Sequence, residues 1–346
     1  MIEVVEPGLY TTVQDGGRHG WLRYGVSRGG AMDGTSLRLA NLLVGNAPEE
    51  GTLEFTLLPP ALRFDAPALV AVTGARCAFW LVGPQGERPF PMDEAVFVKP
   101  GETLRGTAAQ NGARGYVAVS GGFGLEKQLG SVSADEKAAI GGLGAGARLK
   151  KGDRLFTVLP PFAGVMEHAR LPRPYQNGAY LPQGAACLRV VEGPQGEALS
   201  QEGREKLFSQ EFEIAPQSDR MGLRLTGEPL AHAPGRDGNI ITDALLPGAV
   251  QVPPNGLPIL MLAGAQTTGG YAKPCCVIGA DLPLAGQLRP GDRVRFCLVS
   301  VGEGEKAWRE YCGGLAAVGA AFRPVKRFVV VQGTYYEIYV REVLPT

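Results

Sequence analysis

Glycine and proline interrupt this chain before any apolar run grows long. There are 50 glycines and 27 prolines among 346 residues, about a fifth of the chain against a usual share near ~12%. No fixed period or low-complexity tract accompanies them, which argues against a collagen-like or disordered chain. Between the breaks stand short runs rich in Val, Leu and Ile: ALVAVTGA, ARGYVAVSG, RLFTVLP, LRVVEG, LRLTG, PILMLAG, CCVIGA and DRVRFCLVS. Runs of that length, bounded by turn formers, read as short strands. No alternation of strands with helical crossovers is visible. The predicted class is therefore mostly β, as barrels or sandwiches with a few short helices.

Three segments read as helices. In DGTSLRLANLLVGN, Asp33 or Thr35 supplies a side-chain oxygen for the orphan N–H groups of the first turn. Leucines then fall on one side, and Gly45–Asn46 makes a stop. The other two are REKLFSQEF and EGEKAWREYCGGLAAV.

A turn-then-strand pattern occurs three times: KPGETLRG at 99–106, KKGDRLFT at 150–157 and RPGDRVRF at 289–296. In each, glycine makes the turn, an acidic residue follows and a strand begins. The pattern suggests two similar β units, one ending near 160 and one near 300. The Pro- and Arg-rich stretch from Pro160 to Pro182 reads as the linker.

Bulk properties exclude several functions. Lys plus Arg and Asp plus Glu are 34 each, and no basic stripe stands out, which argues against nucleic acid and anionic membranes as partners. The opening MIEVVEPGLYTTVQDGG has neither the basic nor the apolar region of a signal peptide. No apolar run approaches the ~20 residues of a membrane span, so the cytoplasm is the expected compartment. The six cysteines are scattered, without a CxxC pair. They are expected as buried small side chains rather than a disulfide framework, which belongs to short secreted chains. His19, His168 and His232 are not spaced as a metal pair, so no metal is expected. There is no GxSxG, no P-loop and no dinucleotide fingerprint.

Polar residues concentrate in three glycine-punctuated segments. The first, TTVQDGGRHGWLRYGVSRGGAMDG, carries Thr11, Thr12, Gln14, Asp15, Arg18, Ser27, Arg28 and Asp33. Its glycines let backbone approach a ligand closely. The second, QSDRMGLRLTG, places Ser218, Asp219 and Arg220 before a strand, and an arginine fork there can hold a carboxylate or phosphate. The third runs through VQVPPNG to AQTTGGYAKP, with Gln251, Asn255, Gln266, Thr267, Thr268, Tyr271 and Lys273. Lys273 and the N–H groups of Gly269 and Gly270 are suited to a developing anion. The first and third segments are expected to meet in one small-molecule site.

These same segments resemble a known family. The run PGLYTTVQDGGRHGWLRYGVSRGGAMDGTSLRLANLLVGN, then TLEFTLLPPALRF and VAVTGA, resembles the start of the KipA family. SDRMGLRLTG, followed by ITDALLPGAVQVPPNGLPILMLAGAQTTGGYAKPCCVIGADLPLAGQLRPGDRVRF, resembles its second half. The family, also called allophanate hydrolase subunit 2-like, includes the C subunit of bacterial 5-oxoprolinase (PxpC). It is related to the carboxyltransferase domain of urea carboxylase.

The resemblance implies two cyclophilin-like β-barrel domains, at 1–165 and 185–300, with a helix and β-hairpin tail at 301–346. It implies partners: a KipI-like subunit (PxpB) and a LamB/YcsF-like subunit (PxpA). With them the chain would cleave 5-oxoproline to glutamate at the expense of ATP, with phosphorylation of the lactam oxygen and attack of water as the expected route. Arg18, Arg220 and Lys273 are the candidates for the cationic roles, and Asp15 or Asp219 for proton handling. The alternatives are a biotin-dependent carboxyltransferase acting on urea or a related amide, and a non-catalytic partner of a KipI-like kinase inhibitor. The tail RFVVVQGTYYEIYVREV reads as a hairpin, with the opening strands of a biotin-carrier domain as the alternative.

Overall fold

A computed structural model of the chain describes residues 1–158 and 169–321, and the backbone of strands 325–331 and 334–340. His168 and most of the Pro160–Pro182 stretch's first half lie outside the described residues.

The first unit is built from β1 (Ile2–Glu6), β2 (Tyr10–Gln14), α1 (Gly34–Leu43), β3 (Thr52–Thr56), β4 (Ala61–Phe64), β5 (Ala68–Arg76) and β6 (Phe79–Gly83). It continues through β7 (Gly86–Phe90), β8 (Ala95–Val98), β9 (Thr103–Gly106), β10 (Asn111–Val119) and β11 (Arg154–Leu155). Its strands form two sheets, ordered β11-β1-β4-β9-β6-β7 and β2-β3-β10-β5-β8. Val4, Leu62, Leu81 and Leu104 from one and Leu53, Phe55, Val70 and Val117 from the other fill a shared core. Strand β5 is buried along eight of its nine residues. Val70 and Val72 face that core, while Leu69 and Ala71 face α1. A strand covered on both sides reads as a continuous apolar run rather than an alternating one.

The second unit holds β12 (Ala186–Glu192), α2 (Gln201–Ser209), β13 (Phe212–Ile214), β14 (Gly222–Thr226), β15 (Asn239–Ala244) and β16 (Ala249–Val252). Then come β17 (Ile259–Met261), β18 (Thr268–Val277), α3 (Leu282–Gly286) and β19 (Arg293–Leu298). The order β12-β19-β13-β14-β17-β16-β18 returns to β12 through a β12–β18 pairing, so the sheet closes on itself. Strand β15 is appended to β18. In β12 the alternation is plain: Ala186, Leu188 and Val190 are buried, with Cys187 and Arg189 turned outward.

The last helix, α4 (Val301–Ala321), leaves the second unit and returns to the first. Its Leu315 and Val318 pack with Leu39 and Leu43 of α1. Beyond it, β20 (Val325–Val331) and β21 (Thr334–Val340) pair as an antiparallel hairpin.

The three expected helices are present. Asp33 caps α1, accepting from the N–H groups of Thr35 and Ser36. Helix α2 starts earlier than REKLFSQEF, because Ser200 caps it at Gly203 N, and it stops before Phe212, which enters β13. From Ala169 onward the expected linker is bound to the first unit. Ala169 accepts from Ala95 N at 2.8 Å, Leu171 donates to Asp93 O at 3.0 Å, and both side chains are buried.

One cysteine expectation is corrected: Cys187 and Cys297 form a disulfide, with Cα atoms 6.3 Å apart. Strands β12 and β19 are parallel neighbours, and both cysteines sit on the outward side of the barrel wall. A separation of 110 residues hides that adjacency from the sequence. Cys275 is a buried core residue as expected, and Cys276 is half-buried beside it.

Candidate functional site

The two units meet along a cleft whose walls are the glycine-rich loop after β2, the ends of β3 and β10, and the segments 218–221 and 262–265. Two cavities open there. One, about 350 Å3, is lined by Tyr10, Gly29, Thr56, Arg114, Asp135, Glu136, Lys137, Ser218, Asp219, Arg220 and Gly264. The other, about 200 Å3, includes Asp15, Arg28, Gly29, Gly30, Met32, Leu262, Leu282 and Tyr311. A groove of about 600 Å3 between α1 and α4, lined by Leu42, Trp308, Leu315 and others, is larger. It is mostly apolar and holds none of the candidate site residues.

Asp15 organises the loop. Its carboxylate accepts from Gly17 N at 2.8 Å, Ser131 Oγ at 2.6 Å, Ser133 Oγ at 2.5 Å and Val132 N at 2.8 Å. Four donors fix the 15–17 turn against segment 131–133. Arg18 is fully buried beside it and donates to the Ser133 carbonyl. Its Nε and Nη1 have no hydrogen-bond partner among the described residues. Burial pulls the guanidinium below its ordinary pKa, with the Asp15 charge opposing. Thr12 and Gln14 are also buried: Gln14 Nε2 donates to Thr12 Oγ1 at 2.9 Å and to Ala134 O at 3.1 Å.

Arg220 crosses from the second unit into the first. It pairs with Glu54 and donates through Nη2 to the Gly30 carbonyl at 2.5 Å. Glu54, 2% exposed, also accepts from Met32 N at 2.8 Å and from Tyr116 Oη at 2.7 Å. Burial lowers the Arg220 pKa to about 10, so it stays charged at neutral pH. Next to Arg220, Asp219 Oδ1 accepts from Met221 N at 2.7 Å, and Ser218 Oγ accepts from Arg224 N at 3.0 Å. Ser27 donates to the Ala265 carbonyl at 3.0 Å. That bond joins the first polar segment to the strand end that leads into the third.

Asp33 is a second crossing point. Besides capping α1 it accepts from Gln287 Nε2 at 2.6 Å. Gln287 Nε2 also donates to Arg114 O at 2.8 Å, while its Oε1 accepts from Ala113 N and Arg114 N at 3.0 Å each. Full burial raises the Asp33 pKa, with the Gln287 and Ser36 bonds opposing.

The cleft thus gathers Asp15, Ser218, Asp219 and Arg220 along its walls, with Ser27 bonded across it and Arg18 behind Gly29. The rest of the third segment stays on the second unit. Lys273 is 4% exposed and pairs with Asp243 of β15 at 2.9 Å. It lines neither cleft cavity. Gln251 is buried, with its Nε2 unpartnered beside Gly269. Asn255 closes a turn by accepting from Leu257 N at 3.1 Å. Gln266 and Thr268 are exposed, Thr267 is half-buried, and Tyr271 is 38% exposed.

Glu54, Arg114, Tyr116, Ser131, Ser133 and Gln287 are the site residues that sequence reading missed. Glu54 and Arg114 are charges inside apolar strand runs, TLEFT and ARGYVAV, and that mismatch was the available signal. Among the described residues, no three His, Cys, Asp or Glu side chains are grouped as metal ligands. No helix among them is long and apolar enough to cross a membrane.

Two β units joined by a polar cleft are the architecture of a carboxyltransferase-type protein, and a family model for the carboxyltransferase domain, subdomain A and B, matches residues 24–298. The chain belongs to this carboxyltransferase-domain family. It is 37% identical over 313 residues to the 5-oxoprolinase C subunit of Escherichia coli, covering 89% of this chain and 94% of that one. The 5-oxoprolinase C subunit of Haemophilus influenzae is 34% identical, with 90% and 95% covered. The K. lactis urea amidolyase superposes with a TM-score of 0.82 at 29% identity, over 92% of this chain and 20% of that one.

Proposed function

We propose that the chain is the C subunit of an ATP-dependent 5-oxoprolinase, acting in a complex that opens 5-oxoproline to L-glutamate. The observation that carries this reading is the likeness to the Escherichia coli 5-oxoprolinase C subunit, 37% identical across 94% of that protein's length. The cleft suits the chemistry. A small cyclic amide fits a cavity of about 350 Å3. Its walls offer cationic groups for an amide oxygen that gains charge, and a buried, preorganised donor does this at little reorganisation cost. Arg220 is held for that role by Glu54 and Gly30 O. Asp219, on the same wall, is the proton-handling candidate that borders the larger cavity. Asp15, with four donors on its carboxylate, serves better as the loop's anchor. Lys273 acts in this reading only if β15 moves to free it from Asp243.

A subunit name implies partners, and KipI-like and LamB/YcsF-like subunits (PxpB and PxpA) complete the proposed complex in the cytoplasm. The described residues do not fit an ATP site of their own: they carry no phosphate-binding glycine loop and group no metal ligands. The nucleotide is therefore placed at a subunit interface or on a partner. The test is to combine the three purified proteins with ATP and 5-oxoproline and to measure glutamate. No glutamate, under conditions where the Escherichia coli complex is active, would overturn the proposal.

The structural likeness to the K. lactis urea amidolyase favours a second reading. In it the same cleft serves biotin-dependent carboxyl transfer to urea or a related amide. Avidin-sensitive carboxylation of urea, with a biotin carrier supplied, is its signature.

A further inference from the structure

Arg114 is a buried cation that lacks a counter-ion. It projects from β10, lines the larger cleft cavity and is 8% exposed. Its Nη1 donates to Thr56 Oγ1 at 2.6 Å, and its Nε has no partner among the described residues. No carboxylate among them lies within ion-pair distance of it. The acids that share the cavity are occupied elsewhere. Glu136 accepts from Tyr10 Oη at 3.0 Å, Asp135 Oδ1 accepts from Lys137 N and Ala138 N at 3.1 Å, and Asp219 Oδ1 holds the turn at Met221. Burial lowers the Arg114 pKa, with Tyr116, Tyr10 and the Asp219 charge opposing but none of them bonded to it.

A second buried guanidinium with unused donors, though beside Asp15, stands behind the same wall. Arg18 Nη1, also unpartnered, lies 3.4 Å from where a side chain at Gly29 would begin, and Gly29 lines the cavity. Taking a guanidinium out of water costs several kcal/mol unless a partner compensates. Arg220, the third arginine of the cleft, has Glu54. The cleft therefore keeps unused guanidinium donors at its wall, and Arg114 lines a cavity with room for a small ring.

We infer that Arg114 is the specificity residue of the cleft and receives a carboxylate on the substrate, so that the site takes an anionic cyclic amide in preference to a neutral one. This rests on the reading of the cleft as the 5-oxoproline site. A carboxylate fills the unused donors and compensates the buried charge in one contact, and Arg220 is left for the amide oxygen. A neutral amide such as urea leaves Arg114 unpaired, and a site built for a charged group rejects the ligand that lacks it.

The test compares 5-oxoproline with 2-pyrrolidinone, the same lactam without its carboxylate. Binding is measured by calorimetry on the full chain, alone and assembled with its two partner subunits. The wild-type protein is expected to prefer 5-oxoproline by about 10- to 100-fold, the range for a charge-assisted pair. Arg114→Gln is expected to bring the two ligands to within about threefold, and Arg114→Lys to keep part of the preference. The ligand comparison reads the site even if Arg114→Gln fails to fold. A wild-type preference that survives in Arg114→Gln overturns the assignment and leaves the proposed function standing. Equal binding of the two lactams by the wild type also overturns it. Binding of urea but of neither lactam overturns the proposed function, and the assignment with it.

Discussion

Gln287 of the second unit donates to Asp33 of the first at 2.6 Å, and both side chains are buried. The same amide closes three more bonds with the β10 backbone, so one side chain ties the α1 cap to the strand that carries Arg114. Gln287→Ala removes the side-chain acceptor of the Ala113 and Arg114 N–H groups and one of the donors to the Asp33 carboxylate. It is expected to cost about 3 kcal/mol, since each buried group left unpaired costs about 1–3 kcal/mol. Equilibrium urea denaturation measures this; a loss below about 1 kcal/mol would mean that water replaces the amide.

Asp33 has a raised pKa because it is fully buried. The folded protein then holds a proton that the unfolded chain releases, so this group's contribution to stability is greatest below the ordinary value of 3.8. It declines as pH rises from there to the folded pKa. Asn at this position also caps a helix but does not titrate. The stability of Asp33→Asn relative to wild type should therefore improve as pH rises through that window. Denaturation midpoints taken at a series of pH values would show it; a flat difference would contradict the assignment.

Arg220 is the partner of a carboxylate that is 2% exposed. Arg220→Met leaves the Glu54 charge buried without compensation, at an expected cost of about 3–5 kcal/mol. Glu54→Gln in the same chain should recover part of that loss, because no stranded charge remains. A double-mutant cycle reads the coupling, and additive single losses would show that the two residues act separately.

The repeated turns offer a purely local test. Gly101, Gly152 and Gly291 have φ of 82°, 86° and 89°, and a Cβ at Gly152 or Gly291 meets nothing within 4 Å. Alanine there is strained by the backbone alone, at about 1–2 kcal/mol each. Asparagine should cost less than alanine at each site, because its short polar side chain tolerates the left-handed region. Thermal melts of the six single variants would compare them; a large asparagine penalty would point to an unseen contact.

Those turns also show how far local chemistry can be read. In all three copies the acidic side chain accepts from the backbone N–H three residues earlier: Glu102 from Lys99, Asp153 from Lys150 and Asp292 from Arg289. The spacing of Lys or Arg, glycine and acid specified one turn, and the turn recurs. The cap at Asp33 was legible for the same reason, since donor and acceptor are two and three residues apart. The site was less legible because its partners are distant: 166 residues separate Arg220 from Glu54 and 254 separate Gln287 from Asp33. The disulfide was missed on the same ground. Glycine-rich polarity located the loop at Asp15 and the wall at Arg220. It did not distinguish residues that face a ligand from those, such as Asp15 and Gln14, that hold the loop in shape.

Helix α4 has a consequence for how the protein is made. Tyr311 accepts from Thr35 Oγ1 at 3.1 Å and from Arg38 Nη1 at 3.2 Å, so α1 keeps an uncovered flank until residue 311 has left the ribosome. Asp33 likewise waits for residue 287. The first barrel can collapse around its own core early in synthesis, but its helix α1 remains half-clad until α4 has been made. A chaperone that shields apolar helix surface would find its substrate there, and chains halted before residue 311 should engage it longest.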